Sequence, residues 1–246
     1  MHLFFLKKAY TRNYPDITTR FPELLNPDIP KGTVLDGEVV ITDSSGKPDF
    51  EAAMSRFSIS NTNKVKYLAK DEPVSFVVFD ILYYKGEKVT RLPLYERKEI
   101  LDVIIPVNTP VLSKVMSVNS NGTTLFKLIE EQNLEGIVLK KKDSTYEIGK
   151  RSYSWLKVIN YQYTNVIVNG YRKDDFGWLL SYDDGRYAGI MELGVPKEEK
   201  NRVYRMDKRD QNDKFVFIEP VSCYVKYRNI TKAGLLRLPS YVSLNA

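Results

Sequence analysis

One histidine, His2, and one cysteine, Cys223, stand in this chain of 246 residues. That count excludes an internal disulfide and a cysteine-based zinc site, and it disfavours a Ser-His-Asp triad or a Cys-His pair. Any chemistry therefore falls to carboxylates, lysines and arginines. The stretch that gathers them is EGIVLKKKDSTYEIGKRSYSWLKVIN, residues 135–160. Glu135 and Gly136 precede the apolar run Ile137-Val138-Leu139, and Lys140 follows it. After a charged loop, Trp155 and Leu156 stand directly before Lys157. A carboxylate and a lysine at the ends of buried strands suit a pocket for a metal ion and a phosphate. The plainer reading of either run alone is a buried strand with solvated ends.

The elements that must position these residues follow from the apolar pattern. Strand alternation puts Glu135, Ile137 and Leu139 on one face and Val138 and Lys140 on the other. TVLDGEVVIT (33–42) reads as a strand, and Asp36 and Glu38 share a face if it is regular. Its interior glycine marks a bulge or a close backbone approach to a ligand. VSFVVFDILYY (74–84) is the most apolar run and reads as a central strand in which Asp80 needs a partner. PDFEAAMSRF (48–57), the segment from Leu94 to Ile104, and TTLFKLIEEQNL (123–134) read as helices. Residues 1–12 read as one strand running into an RNYPD turn, and FPELL as a single helical turn.

Beyond residue 162 the texture shifts to short strands and tight turns: NVIVNGYR, FGWLLSYD, YAGIMEL and the long FVFIEPVSCYVKYRNIT, with one short helix at 196–206. That pattern suits a small antiparallel barrel of the oligonucleotide-binding (OB) type. Lys226, Arg228, Lys232 and Arg237 make a basic edge interleaved with Tyr224, Tyr227 and Tyr241. Such an edge suits a surface that tracks phosphates, or an ordinary solvated rim. A formal net charge of +6 favours a polyanionic partner. No apolar stretch reaches the ~18–20 residues of a membrane span. The expectation is a soluble, cytoplasmic protein.

The two runs at 135–160 together resemble motifs IV and V of the covalent nucleotidyltransferases: ATP-dependent DNA ligases, RNA ligases and capping enzymes. Those families read E-G-[IV]-[MV]-x-K, a loop, then W-x-K-x-K; Ile159 stands where the second lysine would be. Other segments resemble the family in order. The segment around Arg12 resembles the one that follows the nucleophile motif, L-D-G-E resembles motif III, the strand with Phe79 resembles motif IIIa, and KAGLLRLPSYV resembles motif VI. Small bacterial and phage-type DNA ligases match best.

The resemblance implies an α+β chain. An antiparallel-sheet nucleotidyltransferase (ATP-grasp-like) adenylation domain, 1–162, precedes a β-barrel OB-fold DNA-binding domain, 163–246. It implies ATP and Mg2+ as cofactors and nicked duplex DNA as partner, with the chain a monomer. Arg12 and Glu38 would hold the ribose side, Phe79 would stack on adenine, and Glu135, with Glu38, would hold metal. Lys157 and Lys140 would meet the α-phosphate, and Arg237 would orient pyrophosphate. Lys226, Arg228 and Lys232 would contact DNA. The family's nucleophile motif, K-x-D-G-x-R, is expected upstream of the strand ending at Arg12. No K-x-D-G occurs in the sequence, and Lys141-Lys142-Asp143-Ser144 is a decoy. Two function classes follow: a nick-sealing ligase, with self-adenylation by this chain in question, and a non-catalytic DNA-binding remnant. RNA ligase or capping enzyme is a lesser alternative, against which the tail KAGLLRLPSYV speaks.

Overall fold

The computed structural model describes residues 3–5, 8–11, 15–25, 28–44 and 46–244. The chain divides into two compact units, and the division does not follow the chain. Residues 1–120 and 138–156 form unit 1; residues 121–137 and 157–246 form unit 2.

Unit 1 is built on a mostly antiparallel sheet. Its strands are β1 (Leu3–Phe5), β2 (Ala9–Tyr10), β3 (Val34–Val40), β4 (Ser75–Tyr84), β5 (Glu87–Lys88) and β6 (Leu112–Lys114). The order is β2-β1-β3-β4-β5, with β6 parallel to β4. The single strand expected over 1–12 is not found among the described residues: β1 and β2 are separate strands paired antiparallel, with Phe4 opposite Tyr10. β4 and β5 are joined by Lys85-Gly86, both at positive φ, the geometry that matches strand twist in a tight hairpin. Phe21, Leu35, Phe76, Val78, Ile81 and Leu101 form the centre of the core.

Helices α1 (Phe50–Ser58), α2 (Thr62–Asp71) and α3 (Leu94–Ile104) complete unit 1. Asp49 caps α1 by accepting from the Ala52 amide, and Asn61 caps α2 by accepting from that of Lys64. Proline at position 93 precedes α3. Sequence reading missed α2 because its apolar stripe is thin; Val65 is its one buried residue.

Unit 2 contains α4 (Gly122–Glu131) and a second sheet, made of β9 (Gln162–Arg172), β10 (Trp178–Ser181), β11 (Tyr187–Met191), β12 (Lys208–Gln211), β13 (Phe215–Tyr227) and β14 (Ser240–Leu244), with α5 (Lys197–Tyr204) between β11 and β12. The order is β11-β10-β9-β13-β12, with β14 also on β13. Among the described residues this OB-like sheet is not a closed barrel. β12 and β14 pair with opposite ends of β13, and only an isolated bridge, Leu193↔Ser240, links β14 towards β11. Pro220 contributes to the irregularity: it has no N–H for the ladder, and the β13–β9 register shifts between Phe217 and Val221. Val166, Val168, Trp178, Leu180, Cys223 and Val225 fill the core. Burial pushes the Cys223 thiol up to about 12, so it is inert.

Two further strands, β7 (Gly136–Lys140) and β8 (Trp155–Ile159), pair only with each other. The expected burial of these strands is not met. Val138, Leu139 and Leu156 are 47%, 43% and 48% exposed. A two-stranded ribbon has no sheet neighbours to extend it and leaves much of its apolar surface open. Among the described residues no helix is long and apolar enough to cross a membrane.

Candidate functional site

In unit 1 the site is assembled around an irregularity between β3 and β4. Asp36 pairs with Asp80, but the next residue, Gly37, pairs with Val78, so Phe79 is the extra residue on β4. A bulge of this kind re-aims a side chain. Along β3 itself Leu35 and Val39 both join the core, so Asp36 and Glu38 fall on the other face, where Asp36 is buried and Glu38 is exposed. Gly37 is required here. A Cβ at that position would stand 2.5 Å from the Val77 carbonyl oxygen and 2.6 Å from the Phe76 ring.

Asp80 finds its partner on α3. Arg97 Nε and Nη2 approach its two carboxylate oxygens at 2.7 and 3.1 Å, and both side chains are fully buried. Arg97 Nη1 donates to the carbonyls of Leu92 and Ser144 at 2.6 and 2.9 Å. A planar guanidinium suits this two-point contact and has donors left for the loop. Arg97 and α3 thus tie the Asp80 strand to the loop that follows Lys140.

Lys140 closes over this pair. Its Nζ donates to the Phe79 carbonyl at 3.2 Å and lies 3.8 Å from Asp80 Oδ2. The ammonium is 3.5 Å from the Trp155 ring centroid and 4.6 Å from that of Phe79. Trp155 meets both Phe79 and Tyr146 edge to face, at 5.9 and 5.6 Å. Burial lowers the Lys140 pKa to about 8, against the pull of the Asp80 carboxylate. Tyr146 donates its hydroxyl to Asp36, and burial, aided by that carboxylate, pushes the phenol up. Arg97 and Tyr146 were not singled out in the sequence. Both sit in charged or polar segments where no spacing marks them; the demand of Asp80 for a partner was the one available signal.

In unit 2 a second group forms. Glu135 accepts from Arg228 Nη1, and Arg237 Nη1 stands 3.9 Å from its other oxygen. Arg228 and Arg237 are held side by side because the Arg228 amide donates to the Arg237 carbonyl at 3.1 Å. Glu135 is fixed through its backbone. Its carbonyl accepts from the Asn160 amide at 2.9 Å, while the Asn160 side chain donates to the Leu134 carbonyl at 3.1 Å. Gly136 permits this approach. It has φ +145°, and a Cβ there would lie 2.1 Å from the Val158 carbonyl oxygen.

The structure thus brings Phe79 together with Lys140, and Glu135 with Arg228 and Arg237. Lys157, on β8, is exposed and belongs to unit 2, whereas the exposed Glu38 belongs to unit 1. Lys226 lies over the Tyr161 ring at 4.7 Å, and Lys232 is exposed. Arg12 lies outside the described residues. Among the described residues no group of three or more His, Cys, Asp or Glu is placed to hold a metal.

Comparison with known proteins identifies the family. Residues 6–158 match the family model described as the ATP dependent DNA ligase domain. Over 238 residues the chain is 46% identical to the SPbeta prophage-derived DNA ligase-like protein LigB of Bacillus subtilis (strain 168), covering 96% of this chain and 84% of that protein. It is 29% identical over 191 residues to the multifunctional non-homologous end joining DNA repair protein LigD of Mycobacterium tuberculosis (strain ATCC 25618 / H37Rv), covering 76% of this chain but spanning only 22% of that protein's length. A solved Lig E DNA ligase shares the fold, with a TM-score of 0.70 at 17% identity, covering 100% of this chain and 89% of the other. The ligase domain of M. tuberculosis LigD gives 0.55 at 24% identity, covering 99% and 85%. RNA ligases and capping enzymes are not favoured by these matches. The chain belongs to the ATP-dependent DNA ligase family.

Proposed function

We propose that this chain seals nicks in duplex DNA, joining a 5′-phosphate to a 3′-hydroxyl through AMP-linked intermediates. It would work as a cytoplasmic monomer in DNA repair, with replication and recombination as further settings. In this reading residues 1–162 do the nucleotide chemistry and 163–246 bind DNA. The observation that carries the reading is the meeting of Phe79, Lys140 and Trp155, which come from three separate motif segments.

The roles follow from side-chain chemistry. Phe79 offers an aromatic face to the purine. Lys140 and Lys157 offer ammonium groups to the α-phosphate, and Arg237 orients pyrophosphate. Arg12 and Glu38 hold the ribose side. Lys226, Arg228 and Lys232 take backbone phosphates. Glu38 and Glu135 are each proposed as a carboxylate that would serve Mg2+. One or two carboxylates, with waters and phosphates, are the donor set this hard cation takes. When bound, the ion neutralises phosphate charge and polarises the leaving group. Glu135 must then give up its guanidinium partners. In the joining step the 3′-oxygen bonds to the 5′-phosphorus, the phosphoanhydride P–O bond breaks, AMP leaves, and the hydroxyl proton passes to solvent. The chain's part in that step is placement of the two ends.

A pre-adenylylated nick tests this directly. Folded protein, with magnesium and without ATP, is expected to seal it, and Glu135→Ala is expected to abolish sealing. No product from well-folded protein favours a DNA-binding role without catalysis. Sealing untouched by Glu135→Ala removes this carboxylate from the site.

A further inference from the structure

The outer face of the second sheet carries a feature that strand joining leaves unused. Tyr163 on β9 and Tyr224 on β13 stack with ring centroids 5.8 Å apart and planes 23° from parallel. The register accounts for this. Tyr163 stands opposite Lys226 and Tyr224 opposite Asn165, so the tyrosines are diagonal neighbours on adjacent strands. Aromatic side chains reach across that distance. Alternation sends Val166, Val168, Cys223 and Val225 into the core, and leaves Tyr163 52% exposed.

Along these two strands the charge beside the pair is one-signed. The facing pairs Tyr163/Lys226, Asn165/Tyr224 and Ile167/Ser222 contain a cation and no carboxylate. At the other end of β13, by contrast, Glu219 is bound by Arg209. An exposed tyrosine ring with a half-buried one stacked on it, an amide and a lysine match an unpaired nucleic-acid strand, whose bases present their faces and whose backbone is anionic. A fully paired duplex does not match, because its base faces are covered by their neighbours.

We propose that Tyr163 and Tyr224 bind unpaired DNA bases by stacking, with Lys226 holding the adjoining phosphate. The proposal rests on the reading that this chain works on DNA, and adds the state of the strand it grips: single-stranded DNA beside the break. Phosphate contacts alone would fix the protein on any duplex; the stacked tyrosines favour an end that has frayed.

Two labelled probes test it by fluorescence anisotropy: a single-stranded oligonucleotide and a fully paired nicked duplex. Circular dichroism first confirms that each variant is folded. Tyr163→Ala weakens single-strand binding about 5- to 150-fold, from stacking worth about 1–3 kcal/mol per base, and leaves the nicked duplex within about twofold. Tyr163→Phe keeps the single-strand affinity. Lys226→Ala lowers the single-strand salt slope by about 0.7, the share of one phosphate. An equal loss on both probes, or no loss on the single strand, overturns the platform, as does folded wild type that binds no single strand. Single-strand binding through Tyr163 without nicked-duplex binding keeps the platform and removes the nick-sealing reading.

Discussion

The ammonium of Lys140 sits 3.5 Å from the centre of the Trp155 indole, in place of the water that would otherwise surround it. A cation over an aromatic face regains part of its lost hydration. Burial still costs more than the Asp80 carboxylate returns, and the amine falls from 10.5 to about 8. The two residues lie at the facing ends of motif segments separated by a charged loop, and their contact holds that loop's two ends together.

This shift has a pH signature. Between about 8 and 10.5 the unfolded chain binds a proton at Lys140 that the folded chain has released. Stability contributed by this group therefore rises with pH across that window. Urea unfolding of the wild type and of Lys140→Met, from pH 7 to pH 10, is expected to show the wild type gaining on the variant as pH rises. A constant difference would place the Lys140 amine in water.

The Asp80–Arg97 pair is fully buried. Removing one member leaves an uncompensated charge, at a cost of about 3–5 kcal/mol. Arg97→Met is expected to lose about that much in denaturant unfolding. Arg97→Met with Asp80→Leu should recover most of it, because the carboxylate stranded by the loss of its guanidinium is then gone as well. A double variant as unstable as the single one would show that Arg97 matters chiefly through the Leu92 and Ser144 carbonyls.

Gly136→Ala sets a Cβ against the Val158 carbonyl oxygen at a φ that side chains rarely adopt. The backbone conformation alone costs about 1–3 kcal/mol, and the overlap adds to it. The expected outcome is a lower melting temperature and no sealing of a pre-adenylylated nick. Gly185→Ala, where a Cβ meets open space at φ +82°, carries only the first cost. Equal effects of the two substitutions would remove the close approach to Val158 from the account.

Glu135 occupies Arg228 and Arg237. If these guanidiniums serve DNA phosphates, Glu135→Gln should tighten binding to a nicked duplex and steepen its salt dependence. Arg228→Ala should flatten that dependence by about 0.9 for each phosphate that the guanidinium neutralises. Binding measured across a salt series decides; a slope that both variants leave unchanged would keep Arg228 off the DNA.

Local pattern was enough for the larger elements and their order, though not for α2 or for the pairing of β1 with β2. The run 74–84 is a strand because it is dense in Val, Phe, Ile and Tyr, and the segment at 94–104 is a helix because its apolar residues recur at helical spacing between charges. The motif order was legible too, since it consists of short runs that each keep their own residue types. Gly37 was read as marking a bulge or a close approach to a ligand, and it stands opposite a bulge in β4. Tertiary structure alone decided the partners. Asp80 asked for a cation, and the chain offers 37 lysines and arginines; only the packing of α3 on β4 selects Arg97. Nothing in the spacing of Glu135 selects Arg228 or Arg237, which meet it because Asn160 holds its backbone and a backbone hydrogen bond sets the two arginines side by side. The bulge at Phe79 and the open second sheet have the same origin. Periodicity describes one strand at a time, whereas register and closure depend on two strands that are far apart in the chain.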